Sequence, residues 1–182
     1  YLHMTLIKSI SGIRGTIGGS VENNLTPIDA VNFGCAYAKW LIKKKSISKN
    51  KVIIGRDARV SGKMIQNLVQ SSLISMVIDV VDLGLSTTPT VEIMVKKYNA
   101  DGGIIITASH NPKEWNALKL LNKNGEFLIK HEGKEIVDYY KNKKFKFSKV
   151  DELGTSTKLK DSINQHIKYV LNLELVKAKK IK

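Results

Sequence analysis

Short apolar runs alternate with amphipathic stretches along most of the chain. The runs are rich in Val, Ile and Leu and are typical of buried strands; they cover residues 52–54, 77–83 and 103–107. The amphipathic stretches have helical spacing and cover residues 26–45, 62–75 and about 89–98. This strand–helix alternation with short connections predicts an α/β fold, in which helices flank a mixed, mostly parallel sheet.

The first predicted helix has clear boundary signals. Thr26 can serve as its N-cap, and Pro27 fits the first helical position. Its apolar stripe should point to the core and contains Ile28, Val31, Cys35, Ala38 and Ile42. Cys35 is the single cysteine, so an internal disulfide is impossible, and a reducing cytoplasm is the expected location.

Residues 117–129 follow a different pattern. Two short apolar segments, 117–121 and 126–129, flank the sequence Asn-Lys-Asn-Gly, which is typical of a tight turn. They predict an antiparallel hairpin at the edge of the sheet. A helix over about residues 131–140 would close this unit.

The composition predicts how the chain is divided. Residues 4–145 are expected to form one domain, residues 146–160 a linker rich in Lys, Ser and Thr, and residues 161–182 the first, truncated helix of a second domain. Residues 1–3 precede Met4 and are interpreted as an expression remnant. No apolar stretch reaches the roughly 18 residues of a membrane helix, so no membrane partner is expected.

The formal net charge of +14 is compatible with nucleic acid, a membrane surface or an anionic small molecule. Many lysines lie at element ends and in the tail, at residues 43–45, 141–149 and 177–182. This scatter favours a solvated basic surface. A phosphorylated substrate is the next interpretation, and nucleic acid is not expected as a partner.

Residues 107–112 read Thr-Ala-Ser-His-Asn-Pro and directly follow a buried run. Ligands bind beyond the carboxyl ends of strands in open α/β sheets, and Ser109 would lie just past such an end. Asn111 and Pro112 can open a short helical turn, which Glu114 helps to cap. The free N–H groups at the start of this turn would attract an anion. The hydroxyl of Ser109 could carry or attack a phosphoryl group; the alternative is a serine and an asparagine that only cap a turn.

Four more segments add to this one in a fixed order. The five are SGIRG (residues 11–15), GRDARVSG (55–62), LGLSTTPT (83–90), TASHNP (107–112) and NALK (116–119). Each is a weak signal alone. Together they resemble the motifs of the α-D-phosphohexomutases, which include phosphoglucomutase, phosphomannomutase and phosphoglucosamine mutase.

The resemblance implies a fold and a reaction. The chain would have the domain-one fold of these enzymes, in which four domains surround one cleft. Ser109 would carry a phosphate, donate it to a phosphorylated glucose, mannose or glucosamine, and take the other phosphate back from hexose 1,6-bisphosphate. Phosphate would thus move between O1 and O6. One Mg²⁺ would bind an oxygen of the phosphoserine and offset its charge.

The resemblance also implies roles by position. Arg14 and Lys119 would line the reacting centre, where positive charge stabilises the transferring group and assists proton transfer. Their alternatives are a surface ion pair and a solvated strand lysine. His110 would orient the phosphoserine or be structural. The residues expected to bind phosphate or substrate are Thr107, Asn111 and Gly15.

Some positions are expected to support this centre. Arg56, Asp57 and Arg59 are interpreted as structural, and Asp57 could hold the 107–112 loop through backbone N–H groups. Ala117 stands where the family often has glycine, and its methyl group would limit conformations with positive φ.

Three loops of the family are absent from this sequence: the acidic metal loop, the sugar-reading loop and the distal phosphate loop. The chain alone is therefore expected to be inactive, with a hexose phosphate and the remaining domains of the same polypeptide as partners. The segments 9–18 and 114–120 are most similar to the phosphoglucosamine or glucose/mannose branches. The alternative function is a basic, non-catalytic α/β module that binds nucleic acid or phosphosugars.

Overall fold

Seven strands form one sheet in the computed structural model, which describes residues 4–44 and 49–176. The strands are β1 (Ile7–Ser9), β2 (Gly12–Thr16), β3 (Asn50–Arg56), β4 (Ile78–Leu85), β5 (Gly102–Ile106), β6 (Trp115–Leu121) and β7 (Ser156–Lys158). The helices are α1 (Pro27–Lys44), α2 (Gly62–Ile74), α3 (Thr88–Lys97), α4 (Lys130–Asn142) and α5 (Ser162–Leu171), with a 3₁₀ turn at Val150–Glu152. The predicted expression remnant and the lysines of the C-terminal tail lie outside the described residues.

The strand order is β1-β2-β6-β5-β3-β4-β7. Strands β5, β3, β4 and β7 pair in parallel, whereas β1, β2, β6 and β5 pair antiparallel. The prediction of an α/β fold with a mixed sheet and flanking helices is confirmed, with a larger antiparallel share than expected.

The edge hairpin consists of β1 and β2, not of residues 117–129. Strand β6 lies inside the sheet between β2 and β5, and Phe127 forms only an isolated bridge with Leu121. Leu118 and Leu120 are buried in the core between the sheet and its helices. The predicted position of the hairpin was therefore wrong, because β6 pairs with a strand about a hundred residues earlier.

The two faces of the sheet are covered unequally. Helices α1, α2 and α4 pack over one face, which we call the covered face; Val52, Ile54, Ile104 and Ile106 point into its core. Helix α3 packs over β3 and β5 on the other face, which we call the open face, and α5 packs against α3. Arg14, Ala117 and Lys119 lie on the open face beside the area that α3 covers.

Helix α1 turns a different stripe to the sheet than its sequence predicts. Ile28 and Ile42 are 55% and 40% exposed, whereas Phe33, Tyr37 and Trp40 are buried. These aromatic residues follow the same helical spacing and bury more apolar area, so they occupy the core side. Cys35 and Ala38, also on the predicted stripe, are buried as expected.

The segment assigned to a linker contributes to the sheet. Strand β7 pairs with β4, and the Thr155 N–H and hydroxyl both donate to Asp79 Oδ1 at 2.8 Å. Helix α5 then contacts α3 through Thr90 Oγ1 and His166 Nδ1, 2.8 Å apart. Helix α5 makes polar contacts there and leaves Ile163 and Ile167 about half exposed. The division into domains stays a prediction.

The described helices show no membrane-spanning element. None of them combines the length and the apolar character that a bilayer crossing requires.

Candidate active site

The loop that follows β5 carries Ser109 at the carboxyl end of the sheet. Ser109 is exposed and has a φ of +53°, a left-handed conformation that is uncommon for residues other than glycine. Such strained conformations cluster at functional sites. The sequence thus predicted the position of Ser109 correctly: it lies just beyond the end of a buried strand.

The predicted short helical turn after Asn111 does not form. Two successive turns replace it: Asn111 N–H donates to Ala108 O, and Trp115 N–H donates to Pro112 O, both at 3.0 Å. The carbonyl of Asn111, which a helix would use for its own ladder, instead accepts a hydrogen bond from Arg59 at 2.7 Å. A side chain from another loop therefore binds the carbonyl at the position where the helix was expected to start.

Lys119 reaches the hydroxyl of Ser109. Its Nζ donates to Ser109 Oγ at 2.8 Å. Strand β6 places Lys119 opposite Ile105 of β5, so its side chain lies on the open face near the end where β5 leads into the loop. An ammonium group at this distance can stabilise negative charge on a phosphoryl group attached to the serine oxygen.

Arg14 lies beside Lys119 on the same face. In the β2–β6 register Arg14 is opposite Ala117, so Arg14 and Lys119 are diagonal neighbours, about 7–8 Å apart at Cα and within reach of long side chains. Arg14, Ala117 and Lys119 line a groove of about 270 Å³. Ala117 has no positive φ, so its methyl group causes no strain in this strand. The structure therefore brings Arg14 and Lys119 together, with Ser109 joined through Lys119.

Gly12 shapes the groove, a role that the sequence reasoning missed. Its φ is +139°, and a Cβ at this position would lie 1.8 Å from the carbonyl oxygen of Leu118. Only glycine allows β2 to approach β6 this closely. The sequence contained one signal for this role, a glycine just after a two-residue turn. It contained no signal for the pairing of β2 with β6.

Two linked hydrogen bonds connect the backbone of Ser109 to Asp57 through Thr107. The Thr107 hydroxyl donates to Asp57 Oδ2 at 2.6 Å and accepts from the N–H of Ser109 at 3.0 Å. Asp57 directly follows β3, as expected, but it holds the loop through the Thr107 side chain and not through loop N–H groups. Thr107 is therefore placed to position Ser109, and its predicted contact with phosphate stays a prediction.

Arg59 makes the most extensive contacts with the loop. Its guanidinium donates to the carbonyls of Ser109 (2.8 Å), Asn111 (2.7 Å), Pro112 (2.7 Å) and Trp115 (3.0 Å). Its Nε donates to Asp57 Oδ2 at 3.2 Å. The interpretation of Arg59 as structural named no partner. The sequence signal was an arginine two positions after an aspartate at a strand end.

The remaining predicted site residues lie close by with different surroundings. His110 is exposed next to Ser109, and Asn111 is partly buried under Arg59. Gly15 lies on the covered face, where an added Cβ would be 3.1 Å from the Leu25 nitrogen. Packing explains this glycine, and its predicted contact with phosphate stays a prediction.

The charges around Ser109 favour an anion. Lys119 and Arg14 contribute positive charge, whereas the carboxylate of Asp57 is paired with Arg59. Within residues 4–44 and 49–176, no group of three or more His, Cys, Asp or Glu side chains could hold a metal ion. The described residues therefore place net positive charge beside Ser109 and do not bring together a complete set of metal ligands.

Comparison with known sequences gives consistent matches. Residues 6–147 match the family described as "Phosphoglucomutase/phosphomannomutase, alpha/beta/alpha domain I". A phosphoglucomutase/phosphomannomutase from Thermococcus kodakarensis is 37% identical over 166 residues, which are 90% of this chain and 36% of the relative. A probable phosphoglucosamine mutase from Pyrococcus abyssi is 37% identical over 144 residues, 79% of this chain and 30% of the relative. The chain spans about a third of the length of these curated relatives.

Solved structures share the fold. A putative phosphomannomutase from Thermus thermophilus superposes with a TM-score of 0.71 at 24% identity, over 86% of this chain and 33% of that one. A phosphoglucomutase/phosphomannomutase family protein from Burkholderia thailandensis gives a TM-score of 0.73 at 18% identity, over 94% and 36%.

Proposed function

The chain belongs to the phosphoglucomutase/phosphomannomutase family through its domain I, and we propose that it supplies the phosphoryl-transferring serine, Ser109, of a phosphohexomutase. The observation that carries this proposal is the 2.8 Å hydrogen bond from Lys119 Nζ to the exposed Ser109 Oγ at the carboxyl end of the sheet.

The reaction would proceed by two phosphoryl transfers. In the first, the bond between phosphorus and Ser109 Oγ breaks, and a bond to a hydroxyl oxygen of the hexose monophosphate forms. The proton that this hydroxyl loses replaces the phosphoryl group on Ser109 Oγ. Lys119 stabilises the negative charge that develops on Ser109 Oγ, and Arg14 offsets charge on the transferring group from the same groove. In the second transfer, the serine takes the other phosphate of hexose 1,6-bisphosphate, so phosphate moves between O1 and O6.

Mg²⁺ fits this site only in part. A phosphate oxygen on Ser109 is the ligand that the described residues would supply, and we propose that the others come from the remaining domains of a longer polypeptide. When bound, the metal would neutralise charge on the phosphoryl group. His110 and Asn111, adjacent to Ser109, would help to bind the phosphate.

The substrate class follows from the family names. The relatives are named phosphoglucomutase/phosphomannomutase and phosphoglucosamine mutase. We propose that the substrate is a phosphate of glucose, mannose or glucosamine and that the reaction takes place in the cytoplasm. The described residues do not choose among the three sugars.

The test compares two serine variants in the longer polypeptide. We expect Ser109→Ala to abolish both the turnover of glucose 1-phosphate and the incorporation of phosphate from glucose 1,6-bisphosphate, measured by peptide mass spectrometry. Ser71→Ala is the matched control, since Ser71 is exposed on α2. Undiminished turnover in Ser109→Ala would overturn the proposal. We also expect negligible turnover by the 182-residue chain alone.

A further inference from the structure

The guanidinium of Arg59 is fully occupied. An arginine side chain has five N–H donors, and all five make hydrogen bonds here: one to Asp57 Oδ2 and four to carbonyls of the loop after β5. The side chain is only 13% exposed. Arg59 therefore fixes the direction of several peptide groups in the loop at once.

The direction of a carbonyl also sets the direction of the next N–H. In a planar trans peptide the C=O and N–H of one unit point in opposite directions, and the described residues contain no cis peptide bond. The carbonyls of Ser109 and Pro112 point to Arg59, so the N–H groups of His110 and Lys113 point away from it. The carbonyl of Asn111 does the same, and its unit has no N–H because Pro112 follows.

These two N–H groups have no partner among residues 4–44 and 49–176. Neither the N–H of His110 nor that of Lys113 donates a hydrogen bond to any part of the chain that the structure describes. Both lie within four residues of Ser109, in exposed residues. Unpaired, exposed backbone N–H groups can donate charge-assisted hydrogen bonds to the oxygens of an anion.

We propose that Arg59 is a positioning residue that orients the His110 and Lys113 amides outward, where they bind oxygens of a phosphate group at Ser109. Arg59 does not touch the phosphate itself. The phosphate identity rests on the proposed function, whereas the direction of the amides rests only on the contacts of Arg59.

Lysine could not take this role. Its ammonium carries three donors on a flexible stem, whereas the guanidinium is a rigid planar fork. An Arg59→Lys variant keeps the charge but loses at least two of the five hydrogen bonds. The loop would then lose the restraint that holds Ser109 at φ +53° and the amides outward.

The test is a titration of the ¹⁵N-labelled 182-residue chain with inorganic phosphate, followed by two-dimensional ¹H–¹⁵N NMR. We expect the amide signals of His110 and Lys113 to shift downfield and saturate. In Arg59→Lys the apparent affinity at these two amides should fall about tenfold or more, which corresponds to about 1.4 kcal/mol. Arg56→Lys is the matched control, because Arg56 is the last residue of β3 and donates to Gln66 and the Asp57 carbonyl, not to the loop. The phosphate affinity of this variant should stay within about twofold.

Two outcomes overturn the inference: no shift at either amide in the wild-type chain, or an unchanged titration in Arg59→Lys. If Arg59→Lys fails to fold, the wild-type titration still decides, since a protein with inward amides shows no shift. Ser109→Ala separates this inference from the proposed function. Retained shifts in that variant would support the amide site even if the complete enzyme did not need Ser109.

Discussion

The two faces of the sheet differ in what their polar side chains do. On the covered face, buried polar groups bond to one another: Asp29 accepts from the Tyr140 hydroxyl at 2.6 Å and from the backbone of Thr26 and Glu22. On the open face, Arg14, Lys119 and the nearby Ser109 are solvent-accessible, and the bond between Lys119 and Ser109 is exposed.

This difference separates stability from binding. Three helices remove the covered face from water, so its side chains contribute mostly to the free energy of unfolding. Beyond the area that α3 covers, the open face leaves a groove. The charged side chains of Arg14 and Lys119 reach solvent there, so they should contribute little to that free energy and are available for a ligand. Substitutions on the two faces should therefore differ in kind.

Phe33→Ala should have the largest effect on stability. Phe33 is buried in α1 on the covered face and packs against Tyr140 with ring centroids 5.7 Å apart. Removing a buried aromatic ring leaves a cavity and costs about 3–5 kcal/mol, which is a large part of the stability of a typical domain. Urea unfolding followed by circular dichroism would measure the loss.

Ile28→Ala is the matched control in the same helix. Ile28 is 55% exposed, so its substitution should change the free energy of unfolding by less than about 0.5 kcal/mol. Equal losses in the two variants would mean that α1 presents both stripes to the core, contrary to the structure.

Tyr140→Phe should have the second largest effect. It removes the hydrogen bond to the buried carboxylate of Asp29 and should cost about 1.5 kcal/mol. Asp29 keeps three other donors, from Glu22 and Thr26, which limits the loss. Tyr139→Phe, whose hydroxyl bonds Glu135 nearer the surface, is the control and should cost less.

The same tyrosine makes stability depend on pH. Burial, and next its hydrogen bond to Asp29, raise the pKa of Tyr140 above its ordinary value of 10.0. The folded state therefore keeps the neutral phenol, while the unfolded chain loses its proton near pH 10. Stability is complete below about pH 10 and falls as pH rises further, and this fall should be shallower in Tyr140→Phe.

The sequence predicts the helices and strands better than the tertiary contacts between them. Strands β3, β4 and β5 and helices α1 to α4 follow from periodicity, since each pattern is local. The position of Ser109 follows from the same local pattern, a polar residue just after a buried run.

What the sequence did not predict depends on distant contacts. Strand β6 is internal because β2 pairs with it. The side of α1 that faces the core depends on which side chains of α4 and the sheet pack against it. Arg59 meets the Ser109 loop from 50 positions away. No local pattern encodes such a pairing, although the matched motifs around residues 55–62 and 107–112 marked both partners.

Glu135→Gln tests the rim of the covered face and should have a small effect. Lys43 Nζ lies 2.7 Å from Glu135 Oε1, and hydrogen bonds from Lys43 and Tyr139 lower the pKa of the Glu135 carboxyl. The pair's contribution is present above about pH 4.5 and is lost as pH falls, and salt screens it. We expect a slight drop in Tm near pH 7 that shrinks as pH falls below about 4.5. Asp138→Asn, at an exposed position of the same helix, is the control and should leave Tm near pH 7 unchanged.

Lys119→Ala on the open face should have the smallest effect on stability and a large effect on phosphate binding. Its bond to Ser109 is exposed, so the free energy of unfolding should change by less than about 0.5 kcal/mol. Removing a positive charge next to the Ser109 hydroxyl should still weaken the binding of inorganic phosphate at this loop. The same NMR titration would measure this loss of affinity. Lys97→Ala, an exposed lysine at the end of α3, should leave phosphate binding unchanged. If Lys119→Ala instead lowered stability as much as Tyr140→Phe, the open face would support the fold as the covered face does, and the separation between the two faces would fail.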